Sequence, residues 1–172
     1  MANCLSYAVN SVSARGAAPP DRNVFLETYW AEYITPVQGE SNGPPGADWS
    51  GLAGCLNWLI NVKGDIANAT ALISTLTGHG FEWRARGIAY PNPDIEVGNV
   101  IVVGNYNGLG GIHFFSRLAG QADYIGIPSA AGGQITSFLV AVNAGNGGQF
   151  TQAATGGALM NGIITGWFRS II

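Results

Sequence analysis

The spacing of apolar residues changes once, near residue 80, and that change constrains the fold more than any other feature of the chain. Up to Gly78 apolar residues recur at the helical period. Beyond Gly80 they alternate, or run in short blocks bounded by glycine and asparagine, as strands do. Leu5, Ala8, Val9 and Val12 stand at i, i+3, i+4 and i+7 behind Asn3, a good N-cap, and predict a first helix. Arg15 to Asp21 ends it, because the paired prolines Pro19 and Pro20 cannot continue a helix. A second helix is expected from Asn23 to about Tyr33, with Asp21 near its positive end, followed by a Pro/Gly loop over 35–48. A third spans about Gly51 to Val62, with Leu52, Cys55, Leu56, Leu59 and Val62 on one face. The fourth, Asp65 to Thr77, turns Ile66, Ala69, Ile73 and Leu76 inward, and Gly78 suits its C-terminal cap.

Strands are predicted at Phe81–Arg86, Val100–Val103, Ile112–Phe115, Tyr124–Ile127, Ile135–Val142 and Ile163–Phe168. Gly104 to Gly111 reads as a mobile glycine-rich hairpin loop, and 143–158 as a Gly/Asn/Gln/Ala loop. Helices followed by consecutive strands indicate an α+β fold, with N-terminal helices packed on a C-terminal, mostly antiparallel sheet. At 172 residues, the chain reads as one domain over 1–172.

Composition excludes several classes. Charged residues make up 10% of the chain, where about 25% is usual. Lys63 is the only lysine, and a net charge of −3 without a basic block does not suit nucleic acid. An apolar fraction of 47% is too high for disorder. The longest uninterrupted apolar run, Phe138 to Val142, is far short of a membrane helix. The start at Met1 lacks the basic and apolar regions of a cleaved signal, so synthesis in the cytoplasm is expected, with any export by a signal-independent route. Cys4 and Cys55 allow one disulfide but no framework. Two cysteines and two histidines without Cys-x-x-Cys do not make a zinc motif, so no metal or cofactor is expected.

The candidate chemistry is thiol chemistry. Cys4 falls in the first turn of a helix, where unpaired N–H groups and the helix dipole favour a thiolate. Cys55 lies on an apolar face if its helix begins near Ser50, and takes a first-turn position if that helix begins at Gly54. Each is also readable as a small core residue. His113 opens a strand after the glycine-rich loop and is a candidate base. Asp123 lies ten residues on, before the next strand, and a turn at Ala119-Gly120-Gln121 would bring it beside His113 to orient the imidazole. The bland alternatives are a hydrogen-bonded strand histidine and a turn aspartate. His79, between two glycines, reads as an exposed loop residue, and Arg84 and Arg86 as a solvated strand face. The glycine runs fit neither a P-loop nor a dinucleotide motif, and no pair among the ten carboxylates is marked out as a glycosidase pair.

In order, Asn3-Cys-Leu-Ser-Tyr-Ala-Val-Asn10, Gly98-Asn-Val-Ile-Val-Val103, a Gly/Asn loop, Gly111-Ile-His113 and Asp123 resemble papain-like bacterial cell-wall amidases. That group includes NlpC-type peptidases, CHAP amidases and the amidase effectors of type VI secretion. The resemblance implies a papain-like fold, Cys4 as nucleophile, His113 as base, Asp123 as orienter, and a peptide amide of peptidoglycan as substrate. For an effector it also implies an immunity or assembly partner protein. The chain departs from the pattern at Gly98-Asn99, where the family has Gly-Asp, and at Ile112, which interrupts Gly-His. Two other alignments stay open. Gly54-Cys-Leu-Asn-Trp58 resembles the CHAP cysteine motif and makes Cys55 the alternative nucleophile. Asp48-Trp-Ser-Gly-Leu52 resembles the NlpC-type Asp-Cys-Ser-Gly-Leu with Trp49 in the nucleophile's place, which would describe an inactive relative. The competing expectation is a non-catalytic structural protein of an assembly such as a virion or secretion tube, because a charge-poor surface suits a chain packed against copies or neighbours.

Overall fold

The computed structural model describes residues 4–13, 49–107, 111–131, 134–143, 148–153 and 159–171, and among these residues three helices precede the sheet. Helix α1 (Cys4–Val12) buries Leu5, Ala8, Val9 and Val12, the four positions expected from their spacing. Helix α2 (Trp49–Trp58) runs into a π-helical turn, Leu59–Lys63. Helix α3 (Ile66–Thr77) is closed at both ends, at the C-terminus by Gly78 as expected and at the N-terminus by Asp65. The Asp65 carboxylate accepts from the Asn68 amide at 3.2 Å, and Gly78, at φ 81°, donates to the Ser74 carbonyl at 3.0 Å. The second expected helix and the 35–48 loop lie outside the described residues, as does Asn3.

The strands are β1 (Phe81–Ala85), β2 (Val100–Tyr106), β3 (Ile112–Arg117), β4 (Tyr124–Ala131), β5 (Gln134–Asn143), β6 (Gln149–Ala153) and β7 (Leu159–Ser170). They form one seven-stranded sheet in the order β1-β7-β2-β3-β4-β5-β6, and every pairing is antiparallel. The α+β class and the antiparallel sheet are therefore as expected. Strand β6 corrects the reading of 143–158 as loop. Its polar residues find partners only because Gln149–Ala153 lies between β5 and β7. The β6–β7 pairing also closes β2 through β7 into a ring, a barrel from which β1 projects beside the second half of β7.

Strand alternation sorts side chains onto two faces. Phe81, Ile101, Val103, Phe114 and Phe168 face the helices and share a core with Leu5, Val9, Cys55, Leu59, Leu72 and Ile73. Val102, Tyr106, Phe115, Tyr124, Phe150, Ile164 and Trp167 fill the opposite side, inside the barrel. Among the described residues no helix is long and apolar enough to cross a membrane.

One end of the barrel is held by a buried polar cluster. Glu96, in the connection between β1 and β2, accepts from the Trp167 indole at 2.8 Å and from Arg169 Nε at 3.1 Å, and pairs with Arg84 Nε at 3.2 Å. Its main-chain carbonyl accepts from Arg117, and Tyr124 donates to Asp94. Arg86 donates to the Ile164 carbonyl at 2.6 Å. Arg84 and Arg86 are thus engaged in packing the connection onto the barrel, and are not a solvated face.

Candidate active site

Helix α1 lies against β3 and β4 where those strands part. Among the described residues they pair at Ser116 and Ile125 alone, so β3 from Ile112 to Phe115 has no β4 partner. The first residue of α1, Cys4, is buried against that unmet main chain, close enough for the Phe114 backbone to act on its thiol. Burial pushes the thiol up from its ordinary value. The Phe114 contact and the first-turn amides of Cys4 and Leu5 pull it down by less. The helix-start effect expected from the sequence is present, and desolvation outweighs it. Cys4 is therefore a neutral thiol at pH 7.

His113 neighbours Phe114 in β3, but alternation turns its ring to the barrel interior. It is fully buried, stacked on Tyr106 at 5.1 Å between centroids and on Phe115 at 5.4 Å, with Phe150 at 5.8 Å. Gly104 permits this packing: it pairs with His113, and a Cβ there would meet the Phe150 ring at 2.3 Å. The thiol thus approaches the open edge of β3 from the helix side, and the imidazole lies beside that edge on the barrel side. The Tyr106 ring lies on His113, and burial, with a smaller contribution from a Cys4 thiolate, pushes its phenol upward.

Asp123 is not brought to His113. The Ser116–Ile125 pairing places Asp123 opposite Leu118, five residues from His113 along β3, which is roughly 17 Å at the rise of a strand. Asp123 is exposed in the turn before β4. The expected turn forms, but its register carries the carboxylate to the wrong end of the strand. Cys55 sits near the middle of α2 in the helix-side core, remote from a helix start, and both cysteines are free. His79 is no exposed loop residue: its ring nitrogen lies 2.6 Å from the Val12 carbonyl, and its ring is 4.7 Å from that of Phe81.

Burial alone pushes the Cys55 thiol from 9.0 up to about 12. Above pH 9 an unfolded chain releases a proton that the folded chain keeps, so stability falls as pH rises from about 9 to 12. The loss is on the order of 4 kcal/mol at the upper limit, and Cys4 adds to it with the same sign. Replacing Cys55 with Ala should flatten the decline of Tm between pH 8 and 10.5. Equal slopes in the two proteins would refute this account of Cys55.

Two residues of this region were not singled out from the sequence. Tyr106 falls in the segment whose Gly/Asn content marks a hairpin loop, although Val100, Val102, Gly104 and Tyr106 keep a period of two that continues the strand. Glu96 gives no local signal, since its side-chain partners Trp167 and Arg169 are 71 and 73 residues away. Among the described residues, no group of three His, Cys, Asp or Glu side chains is placed to hold a metal ion. No family model, curated protein or solved structure matches the chain.

Proposed function

We propose that the chain is a cysteine amidase of papain-like layout, with Cys4 as nucleophile and His113 as base. One observation carries the reading: the cysteine that opens α1 docks on the unpaired stretch of β3, against the residue next to His113. In the proposed reaction Sγ bonds to the amide carbonyl carbon while His113 takes the thiol proton. The C–N bond then breaks and the proton passes to the departing amine. Water adds to the thioester, releasing the acid and restoring the thiol. The first-turn amides of α1 are the donors that stabilise the oxyanion. Because the thiol is neutral, base assistance is required at the moment of attack, and activity should rise with pH above 7. Both groups are buried, so the cycle includes a step that uncovers the seam and lets the imidazole reach around the edge of β3. Peptidoglycan as the source of the amide rests on the sequence resemblance.

The test is release of new amino groups from purified peptidoglycan and from short muropeptides. Cys4→Ala should lower the rate at least about a thousandfold, as loss of a nucleophile does, while Asp123→Ala should leave it within about twofold. Undiminished release by Cys4→Ala would end the reading.

A second reading, a non-catalytic structural protein packed against copies of itself, is favoured by the connection between β1 and β2. Ile88 and Val97 are 104% and 80% exposed there, beside the exposed Tyr90 and Ile95. It predicts an oligomer by sedimentation at micromolar concentration that Ile88→Asp with Val97→Asp returns to monomer. A wild-type monomer would dismiss it.

A further inference from the structure

We infer that the β1–β2 connection is a docking surface for an extended acidic peptide of another protein, with Arg84 and Arg86 as paired clamps for two of its carboxylates. The proposal does not depend on the amidase reading, whose groups lie on α1 and β3.

Exposed apolar side chains mark the place. Ile88, Tyr90, Ile95 and Val97 are four of the seven large hydrophobics exposed among the described residues, and they fall close together in the chain. Contacts hold them around one guanidinium. The Tyr90 ring lies 4.3 Å from Arg84 Cζ, and Glu96, between Ile95 and Val97, pairs with Arg84 Nε at 3.2 Å. The Gly87 amide donates to the Tyr90 carbonyl at 2.9 Å, closing a turn that carries Ile88.

Both arginines are held from behind. Glu96 takes Arg84 Nε, and the Ile164 carbonyl takes Arg86 Nε at 2.6 Å. The terminal nitrogens of each reach solvent and have no hydrogen-bond partner among the described residues. The Arg86 amide donates to the Thr165 carbonyl at 3.0 Å, so the pairing of β1 with β7 runs on through Arg86. Alternation then sets the two side chains on one face, roughly 7 Å apart. An open guanidinium fork matches a carboxylate, and one already fixed by other contacts gives up little freedom on binding. A peptide lying extended across this face spaces its alternate side chains by the same roughly 7 Å, so acidic residues at i and i+2 reach both forks.

Charge selects the occupant. The four arginines of the described residues stand around this connection against the carboxylates of Glu82, Asp94 and Glu96, an excess of one cation on a chain of net charge −3. Glu82 is held by Arg169 and Asp94 by Tyr124, so neither is offered to the forks, on this molecule or on a second copy. A second copy could present the exposed Asp123, but no large exposed hydrophobic stands beside it to cover the apolar rim. A free inorganic anion would fill the forks and leave the rim bare. An acidic segment flanked by branched aliphatic residues covers both.

The experiment is fluorescence anisotropy of a labelled peptide, Ile-Val-Glu-Ala-Glu-Val-Ile, titrated with the full chain. Saturable binding is expected, about tenfold weaker when Gln replaces both Glu, as loss of charge-assisted hydrogen bonds implies. Arg84→Lys keeps a cation beside Glu96 but lacks the fork, and Arg86→Gln removes the second clamp; each should weaken binding about tenfold. Ile88 is fully exposed, so Ile88→Ser should leave Tm unchanged while binding falls about threefold. Equal affinity for the Glu and Gln peptides, or equal affinity of wild type and all three variants, overturns the proposal. So does the absence of binding at about 1 mM protein, a strength below that of any specific contact of this kind. A dimer by sedimentation that is lost in Ile88→Ser and unmoved by excess peptide gives the surface to a second copy and overturns it as well.

Discussion

Glu96→Ala should lower stability by about 3 kcal/mol, a drop in Tm of roughly 6–12 °C for a chain of this size. The side chain is the common acceptor for the Trp167 indole and two arginines. Removing one partner of a buried charged cluster costs more than the cluster ever contributes net, because the remaining groups stay dry and unpaired. Arg84 and Arg169 keep 23% and 28% of their side chains in solvent and can rehydrate, so their share is discounted. Trp167 is fully buried and cannot. Glu96→Gln keeps an acceptor for the indole and should lose about half as much. Urea unfolding followed by tryptophan fluorescence measures both. A Glu96→Ala protein within 0.5 kcal/mol of wild type, on the ordinary scale of surface changes, would show that the cluster is dispensable.

The second large effect concerns β7. A Cβ at Gly162 would lie 2.4 Å from the Asn105 carbonyl oxygen and 2.4 Å from the Phe150 ring. One at Gly166 would lie 2.6 Å from the Arg84 carbonyl and 2.3 Å from the Trp83 ring. The rings could turn aside, but the carbonyls belong to neighbouring strands, so the sheet itself would have to spread. Gly162→Ala and Gly166→Ala should each cost about 3 kcal/mol, the upper end for overpacking. Gly54→Ala in α2 is the control: its Cβ meets nothing within 4 Å, and relief of glycine's entropy in a helix should stabilise by roughly 0.5–1 kcal/mol. Thermal melts of the three variants test the account. It fails if the β7 variants melt with wild type.

Helices α1 and α3 were legible because their signals are local. Leu5, Ala8, Val9 and Val12 carry the period of α1, and Asp65 and Gly78 bracket α3 within one turn at each end. The hairpin from β2 to β3 was legible for the same reason. What the sequence hid depends on partners far along the chain. Gln149–Ala153 has one large apolar residue, Phe150, and becomes a strand only between β5 and β7. The candidate site was half legible. Cys4 at a helix start and His113 on a strand both follow from pattern, but the face that His113 takes depends on which side of the sheet the helices cover. Asp123 was misplaced by register: a turn at 119–121 is readable, whereas the alignment of Ser116 with Ile125 is set by packing along the whole pair. The Gly/Asn-rich setting of Tyr106 has the composition of a loop where the strand in fact continues.

Ring closure has a consequence for how this chain behaves in a crowded solution. Among the described strands, β1 alone has a hydrogen-bonded neighbour on only one side along its whole length, so it is the edge on which another chain's strand could add. It is five residues long and carries Glu82 and Arg84, in a protein where one residue in ten is charged. Charge on a short edge strand disfavours the addition of another chain's strand, so a scarce resource stands where such pairing would begin.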